Sequence, residues 1–147
     1  MNAGNGFFVD SNLLLYSVDP SEATKRACAV GWMEALWMSG RGRLSWEVLH
    51  EFYWNAVKKM GLETVSAREI VEDLSHWRPV DTSLGLVQQA WEWMDAGQLS
   101  YWDALILAAA LRSGADYMLS EDFQAGRVYG DIQVLNPFDH SPVEFVL

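Results

Sequence analysis

The chain alternates short apolar segments with longer segments of helical periodicity, and this alternation restricts the possible folds more than any other feature. Phe7–Val9, Tyr117–Leu119 and Ile132–Leu135 are short and apolar, as buried strands are. Strands separated by helices favour a parallel sheet covered by helices. The length of 147 residues fits one domain. We therefore expect an α/β fold that forms a single domain over residues 1–147.

Helical signals fill the intervals between these strands. Ser45 is a good N-cap for the most strongly amphipathic segment, which ends near Gly61. Ser100 to Asp103 resembles a capping box at the start of an alanine-rich helix. Only very short extended pieces are expected at Leu44 and at 78–80. The predicted helices run from about residue 13, then over 21–38, 45–60, 66–76, 81–95 and 100–112.

Composition indicates a folded cytoplasmic protein. Half of the residues are hydrophobic and a fifth are charged, which is typical of globular domains. The single cysteine, Cys28, excludes an internal disulfide and is compatible with a reducing compartment. Met1–Gly6 has no leader character, and the longest apolar run, Ala104–Leu111, is too short to cross a bilayer. We expect no membrane segment.

Charge and aromatic content bear on possible partners. A net charge of -10 disfavours unaided phosphate binding, so a nucleic-acid ligand would need bound cations or a basic partner chain. Eight tryptophans are many for this length. Most of them should be core, and the rest could stack on bases or form a partner interface.

Four acidic residues lie beside apolar segments. Asp10 and Asp122 follow predicted strands, so both should emerge at the carboxyl edge of the sheet, where sites of α/β folds form. Asp103 lies in the capping box, and on the residues alone a helix-stabilising role is favoured for it. Glu51 shares a helix face with Glu47, which is also the pattern of a solvated surface. Carboxylate oxygens are the ligands that Mg²⁺ and Mn²⁺ prefer, so a metal site is the leading hypothesis.

Other catalytic chemistry has little support in the sequence. There is no glycine-rich phosphate loop, because Gly40–Gly42 lacks the spacing. The histidines His50, His76 and His140 are scattered, without metal-ligand spacing. No serine stands in a nucleophile elbow, and Cys28 lies within a helical segment.

Three segments together resemble the PIN domain family, and within it the VapC toxins of VapBC toxin–antitoxin pairs. They are FFVDSNLLLYSVD, LSWEVLHEFYWNAVKK and LSYWDALILAAALRSGADYMLSEDFQAG, which occur in the family's order between Phe7 and about Gly126. The resemblance implies a three-layer α/β/α sandwich with a mostly parallel sheet of four to five strands. It also implies a metal-dependent endoribonuclease.

The resemblance assigns roles to particular residues. It implies that Asp10, Glu51, Asp103 and Asp122 are catalytic, and that the three aspartates bind Mg²⁺ or Mn²⁺. Glu51 is chosen over Glu47 because it precedes Phe52 in an EF-like pair. The polar residues expected to support these acids are Ser11, Asn12, Ser120 and Glu121, and Glu121 is alternatively an extra metal ligand.

The resemblance also implies partners, and two other functions are alternatives. An RNA substrate, a cognate antitoxin with a basic segment and a homodimer are expected from the family. One alternative is a catalytically inactive PIN-fold protein that binds RNA or a protein partner. Another is a phosphatase of the haloacid dehalogenase type, which would need a second aspartate where Asn12 stands.

Overall fold

The computed structural model describes residues 5–97, 99–145 and 147, so the expectation made for Met1–Gly6 falls mostly outside the described residues. Its strands are β1 (Phe7–Val9), β2 (Gly42–Arg43), β3 (Tyr117–Leu119), β4 (Val128–Tyr129) and β5 (Ile132–Leu135). Its α-helices are α1 (Ser11–Ser17), α2 (Ala23–Ser39), α3 (Trp46–Lys58), α4 (Thr64–Leu74), α5 (Leu84–Gly97) and α6 (Tyr101–Arg112). Two short 3₁₀ helices span Ser75–Trp77 and Pro142–Phe145.

The strands form one sheet in the order β2-β1-β3-β5-β4. All neighbours are parallel except β4 and β5, which pair antiparallel. The mostly parallel α/β/α sandwich is therefore confirmed. Parallel pairing aligns the carboxyl ends of β1 and β3, with Val9 opposite Leu119, so the residues after both strands emerge at one edge.

Burial explains why these segments form the centre of the sheet. Phe7, Phe8 and Val9 are fully buried, as strands covered by helices on both faces must be. In α6, every residue from Ala104 to Ala110 is buried, because small side chains let this helix pack closely. Helix α6 packs on α5 and α3, and α1 packs on α2 and α3. This packing brings the starts of α1 and α6 and one face of α3 towards the same region.

Several boundaries differ from the predictions for physical reasons. Helix α1 begins at Ser11 rather than near residue 13, because Asp10 itself caps it. The short strand expected at Leu44 is Gly42–Arg43 instead, and strand β4 was not predicted because two residues carry no periodicity. Helix α2 begins two residues later than predicted, and helix α4 begins two residues earlier.

The expectation that most tryptophans are core was wrong. Among the tryptophans of the described residues, only Trp32 is fully buried. Its Nε1 donates a 2.8 Å hydrogen bond to the Pro137 carbonyl. Four of the eight are exposed over about half of their surface or more: Trp37, Trp54, Trp91 and Trp102. Within the described part of the chain, no helix is long and apolar enough to cross a membrane.

Candidate active site

Asp10 follows β1 directly and caps α1, so its carboxylate is fixed where the first strand meets the first helix. Its Oδ1 accepts a 2.7 Å hydrogen bond from the Ser11 N–H, and its Oδ2 accepts a 2.7 Å bond from the Ser120 hydroxyl. Asp10 is only 2% exposed. Burial raises its pKa from 3.8 to about 6, with smaller contributions from the charges of Asp122 and Asp103, although both hydrogen bonds lower it. Asp10 therefore caps helix α1 and also lies in the candidate site.

Ser120 connects Asp10 to the loop that carries Asp122. It follows β3 and is fully buried. Its hydroxyl donates to Asp10 and accepts from the N–H groups of Asp122 at 3.1 Å and Phe123 at 3.3 Å. The hydroxyl thus fixes the start of this loop relative to the buried carboxylate, which is the supporting position that the family resemblance implied.

Glu51 lies on the face of α3 that turns towards α1. The Ser11 hydroxyl donates to its Oε1 at 3.5 Å, which is a long contact. Burial raises the pKa of Glu51 from 4.5 to about 7, and the charges of Asp10, Glu47 and Asp103 act in the same direction. The structure therefore brings Glu51 to the candidate site, although helical periodicity alone had equally allowed a solvated surface.

Asp103 is the third residue of α6. Its N–H donates to the Ser100 hydroxyl at 3.1 Å, as the capping-box pattern predicted. Its carboxylate also lies near enough to Asp10 and Glu51 to raise the pKa of both. Asp122 is exposed in its loop and raises the pKa of Asp10. All four acids therefore belong to one electrostatically coupled region at the carboxyl edge of the sheet.

Glu121 does not turn its carboxylate towards the other acids. Its Oε2 accepts a 2.6 Å bond from Lys25 Nζ, and its Oε1 accepts a 2.9 Å bond from the Tyr16 hydroxyl. Partial burial would raise the pKa of Glu121, but these two bonds together lower it. Between the two roles implied for Glu121, the contacts favour support over direct metal binding. It anchors the loop to α1 and α2.

Asn12 contributes an unpaired donor beside this loop. Its Oδ1 accepts from the Glu121 N–H at 3.4 Å. Its Nδ2 is buried and has no hydrogen-bond partner among the described residues. Asn12 lines a cavity of about 240 Å³ together with Asp122. A buried donor of this kind needs an acceptor, such as a water or a phosphate oxygen.

Three contributors to this region were missed by sequence reasoning. Glu47 raises the pKa of Glu51, and the spacing of four residues between them was the available signal. Lys25 and Tyr16, which hold Glu121, had no local signal, because they lie 96 and 105 residues away from it in the chain.

The positions of the acids and their chemistry bear differently on metal binding. In the part of the chain that the structure describes, no three acidic, histidine or cysteine side chains are grouped closely enough to hold one metal ion. The donor chemistry does fit a hard divalent cation, because all four groups are carboxylates and their mutual repulsion is uncompensated by a described ion pair to Asp10 or Glu51. Binding of one ion by several of these acids would require their carboxylates to move closer together.

These features define a class, that of α/β/α proteins with a carboxylate-lined site at the carboxyl edge of a parallel sheet. The model of the PIN domain family matches residues 7–131, a range that contains all four acids, and the chain belongs to this family. Family membership also removes the haloacid dehalogenase alternative.

The comparison with solved structures agrees. The crystal structure of VapC20 from Mycobacterium tuberculosis, a sarcin-ricin loop cleaving toxin, matches with a TM-score of 0.57 and 25% sequence identity. The match covers 80% of this chain and 92% of that one. The resemblance to VapC-type PIN domains is therefore confirmed. No curated protein sequence matches the chain.

Proposed function

We propose that this protein is a metal-dependent endoribonuclease and the toxin of a type II toxin–antitoxin pair. The observation that carries the proposal is the coupling of Asp10, Glu51, Asp103 and Asp122 at one edge of the sheet in a VapC-like PIN domain. VapC20, which has a similar structure, is a toxin that cleaves the sarcin-ricin loop. We expect this protein to act in the cytoplasm, where its RNA substrate is found.

The proposed mechanism assigns a task to each acid. Asp10, Asp103 and Asp122 would hold Mg²⁺ or Mn²⁺, which when bound lowers the pKa of water and offsets charge on the leaving oxygen. Glu51, which lies beside Asp10 but outside this ligand set, orients the attacking water. Ser120 holds Asp10 in place through its hydroxyl. The buried Asn12 Nδ2 would donate to an ordered water.

An antitoxin is the proposed protein partner. The net charge of -10 favours a partner segment that carries basic residues, because complementary charges guide association. A homodimer is also proposed, on the strength of the family resemblance.

RNA cleavage by the purified protein tests the proposal. Total RNA incubated with Mn²⁺ should be cut at a few sites, and EDTA should stop the reaction. Asp10→Asn and Asp103→Asn should each reduce the rate at least about a hundredfold while leaving the far-ultraviolet circular dichroism unchanged. Asp95→Asn is the matched control, because Asp95 is an exposed acid of α5 and should leave the rate unaltered. Cleavage that persists in Asp10→Asn or in EDTA would refute the proposal.

One observation favours a second candidate, a PIN-fold protein that binds RNA or a partner without cleaving. As positioned, the described acids do not form a group that could hold a metal. This candidate expects no cleavage by the wild type under any metal, together with intact binding of RNA or of a partner protein.

A further inference from the structure

Two exposed tryptophans lie next to Glu51 in the fold. Trp54 of α3 is 60% exposed and Trp102 of α6 is 63% exposed. Both line a cleft with a volume of about 460 Å³, whose other lining residues are Glu47, His50, Glu51 and Asn55. Large aromatic surfaces left in water together at one place mark a binding surface. A molecule in this cleft would contact Glu51 and so lie beside the candidate catalytic acids.

The cleft continues along α3. A second groove of about 640 Å³ shares His50 and Trp54 with it and extends over Trp46 and Tyr53 towards α4. The His50 ring packs against Trp46, with centroids 6.2 Å apart. An aromatic path therefore leads away from Glu51, long enough for more than one flat ring.

The lining of the cleft selects its occupant. Most of the exposed lining surface is apolar, and four of the six lining residues also carry a polar or acidic group. A nucleobase fits both the apolar surface and the polar groups of the lining, because its faces stack on tryptophan and its edge carries hydrogen-bond donors and acceptors. Asn55 can pair with a base edge, and Glu47 can accept from an exocyclic amino group.

The charges in and around the cleft set the orientation of a bound nucleotide. Glu47 and Glu51 inside it repel phosphate. Lys58 lies at its margin, with Nζ 5.4 Å from the centroid of the Trp54 ring. A nucleotide with its base inside and its phosphate outside, near Lys58, is compatible with both charges. Stacking also supplies affinity that a chain with a net charge of -10 cannot obtain from general electrostatic attraction.

We propose that the cleft between Trp54 and Trp102 stacks an unpaired RNA base next to the bond that is cut. This inference rests on the proposed ribonuclease function and adds a specificity-determining subsite to it.

Binding measurements test the subsite independently of cleavage. Asp10→Asn protein would be titrated against fluorescein-labelled oligoadenylate and oligouridylate octamers and against a blunt RNA duplex, by fluorescence anisotropy. Trp54→Leu and Trp102→Leu should each raise the Kd for the octamers about 5- to 100-fold, the range observed for loss of one base–aromatic stack. Trp54→Phe keeps an aromatic face and should raise it less. Trp91→Leu, an equally drastic change at a half-exposed tryptophan outside the cleft, should leave the Kd unchanged.

Three outcomes would overturn the subsite. They are equal octamer affinities in Trp54→Leu and Trp91→Leu, preference for the duplex, and no octamer binding by the Asp10→Asn protein. If the octamer affinities are equal and both Trp54→Leu and Trp102→Leu also lose an associated protein, the cleft binds a protein partner instead. Cleavage assays separate this inference from the proposed function. If the wild type cleaves RNA and the cleft variants keep its KM, the subsite fails alone. If no protein cleaves RNA but octamer binding depends on Trp54, the nuclease fails alone.

Discussion

The Ser120 hydroxyl donates a 2.7 Å hydrogen bond to Asp10 Oδ2 across 110 positions of the sequence. The bond joins the ends of β1 and β3 and is fully buried. It is the direct link between the first acid of the candidate site and the loop that carries the last one, Asp122.

Replacing Ser120 with alanine should therefore affect both stability and activity. The change removes a donor to a buried carboxylate and an acceptor for two backbone N–H groups, which should lower the free energy of unfolding by about 1–3 kcal/mol. RNA cleavage should fall about tenfold or more, because Asp10 and Asp122 lose their fixed relation. Urea denaturation and initial cleavage rates measure these effects. Ser113→Ala is the control, since the Ser113 hydroxyl bonds only to the nearby backbone groups of Ala110 and Ala115, and equal effects in both variants would contradict the account.

The raised pKa of Asp10 predicts that this residue destabilises the metal-free protein at neutral pH. The folded protein holds the proton up to about pH 6, whereas the unfolded chain releases it near 3.8, so stability is lost as the pH rises through this window. The shift is worth about 3 kcal/mol at 1.36 kcal/mol per unit, as an order of magnitude. Asp10→Asn should consequently be more stable than the wild type at about pH 8 and similar at about pH 4. Chemical denaturation in EDTA at both values checks this, and an Asp10→Asn protein that is less stable at pH 8 would show that the carboxylate is compensated.

Gly42 allows Trp77 to pack against the edge of the sheet. A Cβ at this position would lie 2.4 Å from the Trp77 ring, so Gly42→Ala should force the ring away and lower the free energy of unfolding by about 1–3 kcal/mol. Gly31→Ala is the matched control, because a Cβ there meets nothing within 4 Å and the residue lies inside α2. That change should raise stability by about 0.5–1 kcal/mol. Thermal denaturation of both variants measures the difference, and equal melting temperatures would contradict the packing described.

The sequence predicted the fold where periodicity and capping were strong. The strands Phe7–Val9, Tyr117–Leu119 and Ile132–Leu135 have the predicted bounds, because buried parallel strands are continuous apolar runs. Helix α6 also has its predicted end at Arg112, because its N-cap and alanine-rich interior are local signals. Strands β2 and β4 are two residues long and depend on pairing with neighbours, which no local pattern records.

The candidate site was only partly accessible from the residues. The predicted strand ends placed Asp10 and Asp122 at one edge of the sheet. Glu51 and Asp103 were assigned to the site only by the family resemblance, because helix packing is what brings them there. The partners of Glu121 could not be predicted, because Lys25 and Tyr16 meet it through tertiary contacts alone. The sequence also did not show which of the eight tryptophans are exposed, since it indicated only that some of them would be.

Calorimetric titration of Mn²⁺ into the purified, metal-stripped protein at about pH 7.5 tests the central claim most directly. The account predicts saturable binding of one or two ions by the wild type, with binding weakened at least about tenfold in Asp103→Asn and unchanged in Asp95→Asn. No saturable binding by the wild type, or equal affinity in Asp103→Asn, would contradict it.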